Sequence, residues 1–582
     1  MHTTELSAES VRTQLAKILS SNTFARSERL ARFLNFTVEQ TLAGRGDGLK
    51  EFVIGIEVFD KTEKYDPRMD PIVRVEARRL REKLRKYYET EGKEDPLSID
   101  FPTGTYVPLV EKRDASAIAA AAPGTENAIA VLPFTNLSSD PDNEYFSDGL
   151  TEELIHALTK VEGLRVVAWS SAFQLKGKTR DIRRIAEQLK VRAVLEGSVR
   201  RTGERLRITA QLVDTTGGHY LWSETYEREL KDVFAVQDEI SSAIVGALRI
   251  KLAGPSGRSL VTRYTENLQA YHLYLKGRFY WNKRNEQDFY KALGFFEQAI
   301  ETDANYAPAY AGVADTYIML GEHGALPALR VMQEARVAAE RALKIDPSLA
   351  EAHVSLGSVA GLYEWNWSAS ERHFRRAIEL NPSYPTAHQW HGYDFLTPQG
   401  RLEEAIAALE RAHHLDPLSL IITTCLGTVY DIARQHERAR AYYDKVFELD
   451  DTFVRAHLSA GRSYLHQGMF DQAIAAFQRA RELTPNSPVP LALMAHAYNV
   501  CGATVEAARL REALDRCRST NSISSYLLAR AHFGYDHDRA FELLEQAYQE
   551  HDPRLAHMNV SPIFDCLRAD ERFLQLVRRV GL

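Results

Sequence analysis

The stretch that decides the fold of the N-terminal part runs from Arg68 to Tyr88 and has the sequence RMDPIVRVEARRLREKLRKYY. Asp70 is a good helix-capping residue, and Pro71 suits the first helical position, where a missing N–H costs nothing. Apolar residues then recur at helical spacing and predict one buried stripe, made of Val73, Ala77, Leu80, Leu84 and Tyr88. The stretch is therefore predicted to form one amphipathic helix.

A second row of side chains on this helix is basic. It lies about 100° around the helix from the apolar stripe and consists of Arg74, Arg78, Arg81 and Arg85. From Pro71 to Tyr88 there are seven cations and two anions, a local net charge of +5 in a chain whose formal net charge is −7. This asymmetry indicates a polyanionic partner for the segment. A solvated helix face is the alternative interpretation, as it is for any run of charges.

A short hairpin is predicted directly after the helix. Leu97–Phe101 has the pattern of a strand, Pro102–Thr105 that of a turn around Gly104, and Tyr106-Val107 that of the returning strand. A basic helix followed by a two-stranded wing resembles the OmpR-type winged helix of response regulators. In that family the recognition helix carries R-L-R-x-K-L and the wing ends in G-x-x-Y-V. Arg79–Leu84 matches the first pattern, whereas Gly104–Val107 is one residue shorter than the second.

The resemblance covers about residues 10–110 and implies an α+β winged-helix domain that binds double-stranded DNA. In that family the recognition helix enters the major groove, and the wing touches the neighbouring backbone. The positions to which the resemblance gives a DNA-binding role are Arg68, Arg74, Arg78, Arg79, Arg81 and Arg85, with Thr103 and Thr105 in the wing. For Arg68, which precedes the helix, ordinary loop polarity is an equally open interpretation.

Length and composition indicate a multidomain soluble protein. A chain of 582 residues is too long for one core, and its 45% hydrophobic and 26% charged residues are typical of globular proteins. Its four cysteines have no paired spacing, which indicates a reducing compartment. The N-terminus lacks the features of a signal peptide, and the longest run of small apolar residues, Ala115–Ala122, is far shorter than the roughly 20 residues that span a bilayer. We expect a cytoplasmic protein that does not enter a membrane.

The middle of the chain has a different pattern. Residues 111–127 are rich in Ala with Pro and Gly and predict a flexible linker, which bounds a first domain of residues 1–110. Over residues 128–253, alternating strand and helix patterns followed by paired strands predict a mixed α/β domain. The runs A-V-L-P-F, Y-F-S-D-G-L-T-E-E-L, L-E-G-S-V and L-W-S-E-T-Y resemble the TolB amino-terminal-like domain. That domain commonly precedes tetratricopeptide repeats in bacterial regulators.

Candidate chemistry in this middle domain is limited to one acidic helix start. Glu153-x-x-His156 is half of a carboxylate-bridged metal motif, which needs a second copy that the sequence lacks. Acidic residues at a helix start are explained by the helix dipole. Proteins of this arrangement sometimes begin with a nucleotide-cyclase domain, but here the winged helix takes that place and no phosphate-binding glycine loop is present. We expect no metal, no cofactor and no enzyme; a nucleotide-related enzyme with its site in the middle domain is a lesser alternative.

Residues 265–582 are repetitive. Small residues recur at separations of 37, 43, 35, 35, 34 and 34, at Gly277, Ala314, Gly357, Gly392, Gly427, Gly461 and Ala495. The pattern resembles the tetratricopeptide repeat and predicts an all-α solenoid of roughly eight units with a concave surface for a protein or peptide. Pro562–Leu582 is expected to form a capping helix. Positions that match the chaperone-tail clamp carry unsuitable residues, namely Glu351, Thr386, Ile421 and Arg455.

These features predict a bacterial, cytoplasmic, DNA-binding transcriptional regulator whose solenoid binds a protein partner. One further alternative stays open: a protein–protein scaffold whose winged helix no longer binds DNA.

Overall fold

The computed structural model describes the chain apart from residues 1–7, 22, 25–26, 63–64, 67–69, 71, 90, 93–94, 96, 102–105, 113–127, 141–142, 162, 178–180, 216–217, 249–262, 323–327 and 521–522. The chain divides into two compact units, residues 1–123 and residues 124–582. Each unit is described separately.

The N-terminal unit contains four helices and an antiparallel strand pair in its described residues. The elements are α1 (Ala8–Leu19), α2 (Glu28–Leu42), α3 (Glu51–Phe59), α4 (Ile72–Glu89), β1 (Leu97–Asp100) and β2 (Leu109–Lys112). Leu97 lies opposite Lys112 and Asp100 opposite Leu109. Apolar side chains from all four helices and β1 form one core, in which Phe33, Leu34, Ile54, Val73 and Leu80 are fully buried.

The predicted position of the returning strand is wrong. The strand begins at Leu109 and not at Tyr106. The Tyr106 ring lies beside the core residue Phe33, with ring centroids 6.5 Å apart, and its hydroxyl donates a hydrogen bond to Glu51 Oε1 (2.7 Å). Tyr106 therefore lies in the connection between the strands, and its side chain is held by helix α3. The predicted turn around Gly104 lies outside the described residues.

The second unit begins with a mixed sheet and its helices, as the sequence predicted. The elements are β3 (Ala128–Val131), β4 (Thr135–Asn136), α5 (Glu144–Thr159), β5 (Arg165–Val166), α6 (Trp169–Gln174), α7 (Ile182–Leu189), β6 (Ala193–Thr202), β7 (Arg205–Asp214), β8 (Tyr220–Glu229) and α8 (Val233–Ala247). The strand order is β5-β3-β6-β7-β8, with β4 also paired to β6. β3 pairs in parallel with β5 and β6, while β7 is antiparallel to β6 and β8.

The all-α solenoid follows. Its helices are α9 (Leu268–Trp281), α10 (Glu286–Thr302), α11 (Ala307–Glu322), α12 (Ala328–Ile345), α13 (Ala350–Ser358), α14 (Trp367–Leu380), α15 (Pro385–Trp390), α16 (Leu402–Leu415), α17 (Leu420–Ile432), α18 (His436–Leu449), α19 (Val454–His466), α20 (Phe470–Leu483), α21 (Pro488–Val500), α22 (Thr504–Thr520), α23 (Ser525–Arg530), α24 (His537–Gln549) and α25 (Glu571–Arg579). In the described residues α9 to α24 form eight consecutive pairs. Helices α13 and α15 continue into π-helical turns, Val359–Tyr363 and His391–Leu396.

The recurring small residues let the two helices of a pair approach closely. A Cβ atom built on Gly461 of α19 would lie 2.4 Å from Phe477 Cε1 of α20, and one on Gly277 of α9 would lie 2.4 Å from Phe296 Cε1 of α10. Such separations are well inside van der Waals contact. At these two positions the small residue leaves room for an aromatic ring of the partner helix.

The C-terminal residues pack back onto earlier pairs. Two 3-10 helices, Pro553–His557 and Pro562–Leu567, precede α25. Trp367 Nε1 donates a hydrogen bond to the Val580 carbonyl (3.0 Å), and the His551 imidazole lies 3.0 Å from the Tyr363 carbonyl. These contacts join the end of the solenoid to its third pair.

Candidate nucleic-acid interface

Helix α4 is capped by Asp70, as predicted, and buries one side, while the predicted first helical residue, Pro71, lies outside the described residues. Asp70 Oδ1 accepts a hydrogen bond from the Ile72 backbone N–H (3.1 Å), which satisfies one orphan donor of the first turn. The buried stripe consists of Val73, Ala77, Leu80, Leu84 and Tyr87, each no more than 1% exposed. The predicted last member was Tyr88, which is only half-buried and accepts a hydrogen bond from the Ile99 N–H (2.8 Å).

A buried carboxylate joins the end of α4 to α1. Asp95 accepts hydrogen bonds from the Tyr87 hydroxyl (2.7 Å), from Gln14 Nε2 (2.6 Å) and from the Lys17 ammonium. Burial opposes ionisation of Asp95, but these three donors outweigh it and hold its pKa below the usual value. The cluster leaves no signal in the sequence, because Gln14 and Asp95 are 81 residues apart and its members form no local pattern.

Arg74 lies in the first turn of α4 beside a carboxylate of α3. Its Nε atom lies 3.4 Å from Glu51 Oε2, while Glu51 Oε1 accepts the hydrogen bond from Tyr106. About half of the Arg74 side chain is exposed (53%). Arg74 is therefore tethered by its ion pair but accessible to a ligand.

Two further arginines of α4 have different surroundings. Arg79 is exposed and its Nη1 atom pairs with Glu76 Oε1 (2.7 Å), one turn earlier on the helix. Arg81 is half-buried, and its Nε atom donates a hydrogen bond to the Phe101 carbonyl at the end of β1 (2.7 Å). The predicted row thus includes a residue that holds the strand pair to the helix. An apolar residue, Val75, is 44% exposed beside these arginines.

The other predicted DNA-binding residues lie outside the described side chains. Arg78 and Arg85 belong to α4 through their backbone, but their side chains are not described; Arg68, Thr103 and Thr105 lie outside the described residues altogether. Of the predicted set, the described geometry brings Arg74, Arg79 and Arg81 onto one helix. It gives them three different immediate partners.

The predicted acidic helix start is wrong, because α5 begins at Glu144 and Glu152, Glu153 and His156 lie in its second half, where the helix dipole does not account for them and where they face the solenoid. The His156 imidazole of α5 lies 3.5 Å from Glu351 of α13, and Glu152 of α5 pairs with Arg278 of α9 at 2.6 Å. Burial raises the pKa of Glu153 to about 7, with a contribution from neighbouring Glu152, and burial lowers the pKa of His156. Among the described residues no group of three His, Cys, Asp or Glu side chains is placed to hold a metal ion.

A second contact joins the middle domain to the solenoid. Asp416, in the turn between α16 and α17, accepts a hydrogen bond from the Ser171 N–H (3.0 Å) and from the hydroxyls of Ser170 and Ser171. The Ser171 hydroxyl in turn accepts one from the Leu418 N–H (2.7 Å). With the α5 contacts, this shows that residues of the first, third and fourth pairs hold the middle domain. The middle domain therefore covers that part of the solenoid surface.

Comparison with known proteins identifies two parts of the chain. Residues 125–243 match the family model described as "HilA/YgeH-like transcriptional regulator, second domain", and residues 426–488 match a tetratricopeptide repeat model. The middle domain is therefore similar to a domain of transcriptional regulators. The C-terminal part contains tetratricopeptide repeats, which indicate protein–protein interaction.

Relatives resemble only parts of the chain. Over 276 residues it is 39% identical to a protein of Rhizobium meliloti (strain 1021) named "Putative adenylate cyclase 3", and the match covers 46% of each chain. It is 22% identical over 190 residues to anaphase-promoting complex subunit 3 of Schizosaccharomyces pombe, 32% of this chain and 27% of that one. The solved structure of Pseudomonas aeruginosa PilF is 23% identical and matches 36% of this chain and 92% of its own, with a TM-score of 0.28. The matches span less than half the length of the two curated relatives, the Rhizobium meliloti and Schizosaccharomyces pombe proteins.

No helix in the described part of the chain is both long and apolar enough to cross a membrane.

Proposed function

We propose that the protein is a cytoplasmic transcriptional regulator that binds double-stranded DNA through its N-terminal unit and a protein partner through its solenoid. In this proposal the N-terminal unit is a winged helix, with α4 as recognition helix and the β1–β2 pair as wing. The TolB-like assignment of the middle domain belongs to the same proposal. We assign no enzymatic activity to the chain.

The observation that carries the proposal is the arrangement of α4. One side of this 18-residue helix is buried in the core, while Arg74 and Arg79 are exposed. A helix of that length extends about 27 Å, and an exposed basic helix fits the width and charge of the major groove. Arginine forks are suited both to phosphate oxygens and to the O6 and N7 atoms of guanine.

The neighbouring domain supports a role in regulation. The segment that follows the N-terminal unit, residues 125–243, is similar to the second domain of HilA/YgeH-like transcriptional regulators. A DNA-binding unit in front of such a domain would give it access to a promoter, and the repeats behind it would receive a protein signal.

Binding of the full chain to selected and random duplexes across a salt series tests this proposal. Arg79→Ala should weaken binding to all sequences alike and lower the salt slope by about one, because it removes one phosphate contact. If Arg74 contacts a guanine edge, Arg74→Ala should cost about 1–3 kcal/mol on the preferred site and little on random DNA. Arg29→Ala, an exposed arginine of α2, is the matched control. Full-strength binding by both α4 variants would contradict the proposed interface.

A specific observation favours the scaffold as second candidate. The described arginines of α4 already contact groups of the same unit: Glu51, Glu76 and the Phe101 carbonyl. Arginines that already pair with groups of their own unit attract phosphate less strongly, because part of their charge is neutralised or their donors are in use. If the full chain fails to retain any fragment in a selection from genomic DNA, the scaffold replaces the regulator.

The relative named as an adenylate cyclase calls for a separate assay. The match covers under half of that protein, so its activity does not extend to this chain by similarity alone. We expect no cyclic nucleotide after incubation of the full chain with ATP and divalent metal ions. Accumulation of cyclic AMP would make the middle domain the first place to look for a site.

A further inference from the structure

The open face of the middle-domain sheet contains a cavity with two arginines. Its volume is about 290 Å³, and its lining consists of Leu137, Ser198, Arg200, Arg207 and Thr209. Arg200 is exposed, and 58% of the Arg207 side chain is accessible to solvent. A solute can therefore reach both guanidinium groups from outside the protein.

The register of β6 and β7 brings the two arginines together. Arg200 lies opposite Arg207, and Ser198 lies opposite Thr209. Side chains directly opposite each other in an antiparallel pair point to the same face of the sheet, with Cβ atoms about 5 Å apart. The two guanidinium groups and the two hydroxyls thus belong to one surface.

A helix covers the other end of this face. There Val194 of β6 packs with Ile185 and Leu189 of α7. At the open end, the Leu137 N–H, one residue after β4, donates a hydrogen bond to the Val199 carbonyl of β6 (2.7 Å). The Leu137 side chain, which is 48% exposed, therefore forms an apolar wall beside the arginines.

The positive charge at the cavity is only partly compensated. In the described part of the chain, the Arg200 side chain forms no ion pair and no hydrogen bond. Arg207 Nε lies 3.6 Å from Glu227 Oε1 of β8, but both side chains are more than half exposed, so the pair is weak. Like charges directly opposite each other destabilise a strand pair, and an anion in the cavity would compensate them.

The donors at the cavity suit a phosphate group. Arginine forks bind phosphate oxygens through charge-assisted hydrogen bonds. The Ser198 hydroxyl has no hydrogen-bond partner among the described residues, and the Thr209 hydroxyl lies 3.2 Å from that of Thr225. A phosphate monoester carries almost two negative charges at neutral pH, whereas a carboxylate carries one. A phosphate can therefore compensate both arginines at once.

The surroundings of the cavity favour a small molecule over a nucleic acid. Glu227 and Glu229 of β8, at the edge of the same face, are 72% and 61% exposed. Duplex DNA carries one negative charge per roughly 1.7 Å, so its further phosphates would meet these carboxylates. The cavity, of about 290 Å³, is also at the lower limit of ligand cavities, which have about 300–1,000 Å³.

We propose that this cavity binds a small phosphorylated molecule, with the phosphate group between Arg200 and Arg207 and an apolar group on Leu137. This is a function beyond the DNA and protein binding proposed above. The cavity lies in the middle domain, whereas the proposed DNA contacts lie in the N-terminal unit and the proposed protein partner binds the solenoid. Its test is therefore independent of both proposals.

Isothermal titration calorimetry of the full chain measures binding of phenyl phosphate, with inorganic phosphate and phenol as control ligands. We expect phenyl phosphate to bind, less tightly as salt increases, and phenol not to bind. Inorganic phosphate should bind more weakly, because it has no apolar group to contact Leu137. Arg200→Gln should weaken binding of phenyl phosphate by about ten-fold or more, because it removes a charge-assisted hydrogen bond.

Two further variants identify the site. Leu137→Ser should weaken binding of phenyl phosphate and leave that of inorganic phosphate unchanged. Arg228→Gln is the matched control and should have no effect on either ligand. Arg228 lies on the opposite face of the same sheet, opposite the buried residue Leu206, and pairs with Glu239 of α8 (3.4 Å).

Absence of phenyl phosphate binding, or equal affinities of Arg200→Gln and the native chain, would overturn the proposal. So would a loss of affinity of Arg200→Gln for a random DNA duplex without any binding of phenyl phosphate, since the phosphate group would then belong to a nucleic acid. Thermal unfolding without ligand separates a binding residue from a structural one. The melting temperature of Arg200→Gln should not fall, because the change removes one of two like charges. A lower melting temperature would assign Arg200 a structural role and would also overturn the proposal.

Discussion

At the scale of single residues, Glu51 of α3 is an acidic partner of Arg74 in α4. Its carboxylate lies between the Arg74 guanidinium and the Tyr106 hydroxyl. Because the Arg74 side chain is half-exposed, the ion pair itself contributes little to stability. In the proposed DNA interface its effect on the accessible charge of α4 would be larger, since the carboxylate pairs with the arginine and would repel phosphate.

We expect Glu51→Gln to tighten binding of the full chain to DNA of any sequence. The change removes one negative charge beside α4 and releases Arg74, a gain of about 0.2–1 kcal/mol by the usual size of exposed ion pairs. Glu57→Gln, an exposed residue of the same helix α3, is the matched control. The measurement is duplex anisotropy at low and high salt, and equal affinities for both variants would contradict this role.

Asp95 has a different role, which is to hold α4 in place. Asp95→Asn should destabilise the N-terminal unit at neutral pH by about 1–3 kcal/mol, because the buried hydrogen bonds to a charged acceptor are weakened. The folded pKa of Asp95 is below its unfolded value, so its contribution is complete above about pH 4 and is lost as pH falls through the folded pKa. Calorimetry between acid and neutral pH measures the difference in unfolding free energy between the variant and the native chain. This difference should become smaller only in acid. A difference that stays constant would contradict the assignment.

At the scale of the elements, glycines at helix crossings have less free space around them than other helical glycines of the solenoid. A Cβ atom built on Gly461 would lie 2.4 Å from the Phe477 ring, whereas nothing lies within 4 Å of one built on Gly294 of α10. Both lie within helices and have ordinary helical backbone. They form a matched pair for separating packing from backbone effects.

Gly461→Ala should lower the free energy of unfolding by about 1–3 kcal/mol through overpacking. Gly294→Ala should raise it by up to about 1 kcal/mol, because alanine favours the helix and nothing obstructs its methyl group. Urea denaturation of the full chain measures both. Equal effects of the two substitutions would mean that the crossing does not require a small residue at position 461.

At the scale of the whole molecule, the middle domain and the solenoid form one compact unit. Glu152 accepts hydrogen bonds from Arg278 Nε (2.9 Å) and Nη2 (2.6 Å), and only about a fifth of each side chain is exposed. Burial raises the pKa of neighbouring Glu153 to about 7 at the same contact. These charged groups are withdrawn from solvent only because the two parts of the unit pack together.

Glu152→Ala should destabilise this unit by about 3 kcal/mol, because it leaves Arg278 largely buried without its partner. Glu266→Ala is the matched control: Glu266 is 88% exposed, pairs with Arg263 at 3.8 Å, and should contribute less than about 1 kcal/mol. All six tryptophans lie between Trp169 and Trp390, so tryptophan fluorescence during denaturation reports this unit alone. Similar losses for both variants would contradict a stabilising interface.

The sequence by itself determined the features that depend on neighbouring residues. The cap at Asp70, most of the buried stripe of α4, the mixed sheet and the repeated helix pairs all follow from local spacing. Helix periods, strand alternation and a repeat of about 34 residues are properties of short stretches of chain. They are therefore visible without knowledge of the packing.

Only the tertiary structure decided which charged groups meet. Arg81 hydrogen-bonds to a carbonyl 20 residues away, Asp95 joins α1 to α4, and the middle domain occupies part of the solenoid surface. The tertiary structure also decided that Tyr87, and not the predicted Tyr88, completes the buried stripe, since the Tyr87 hydroxyl donates a hydrogen bond to the buried Asp95 carboxylate. The partners of a side chain depend on how distant elements pack, and no local spacing records that packing.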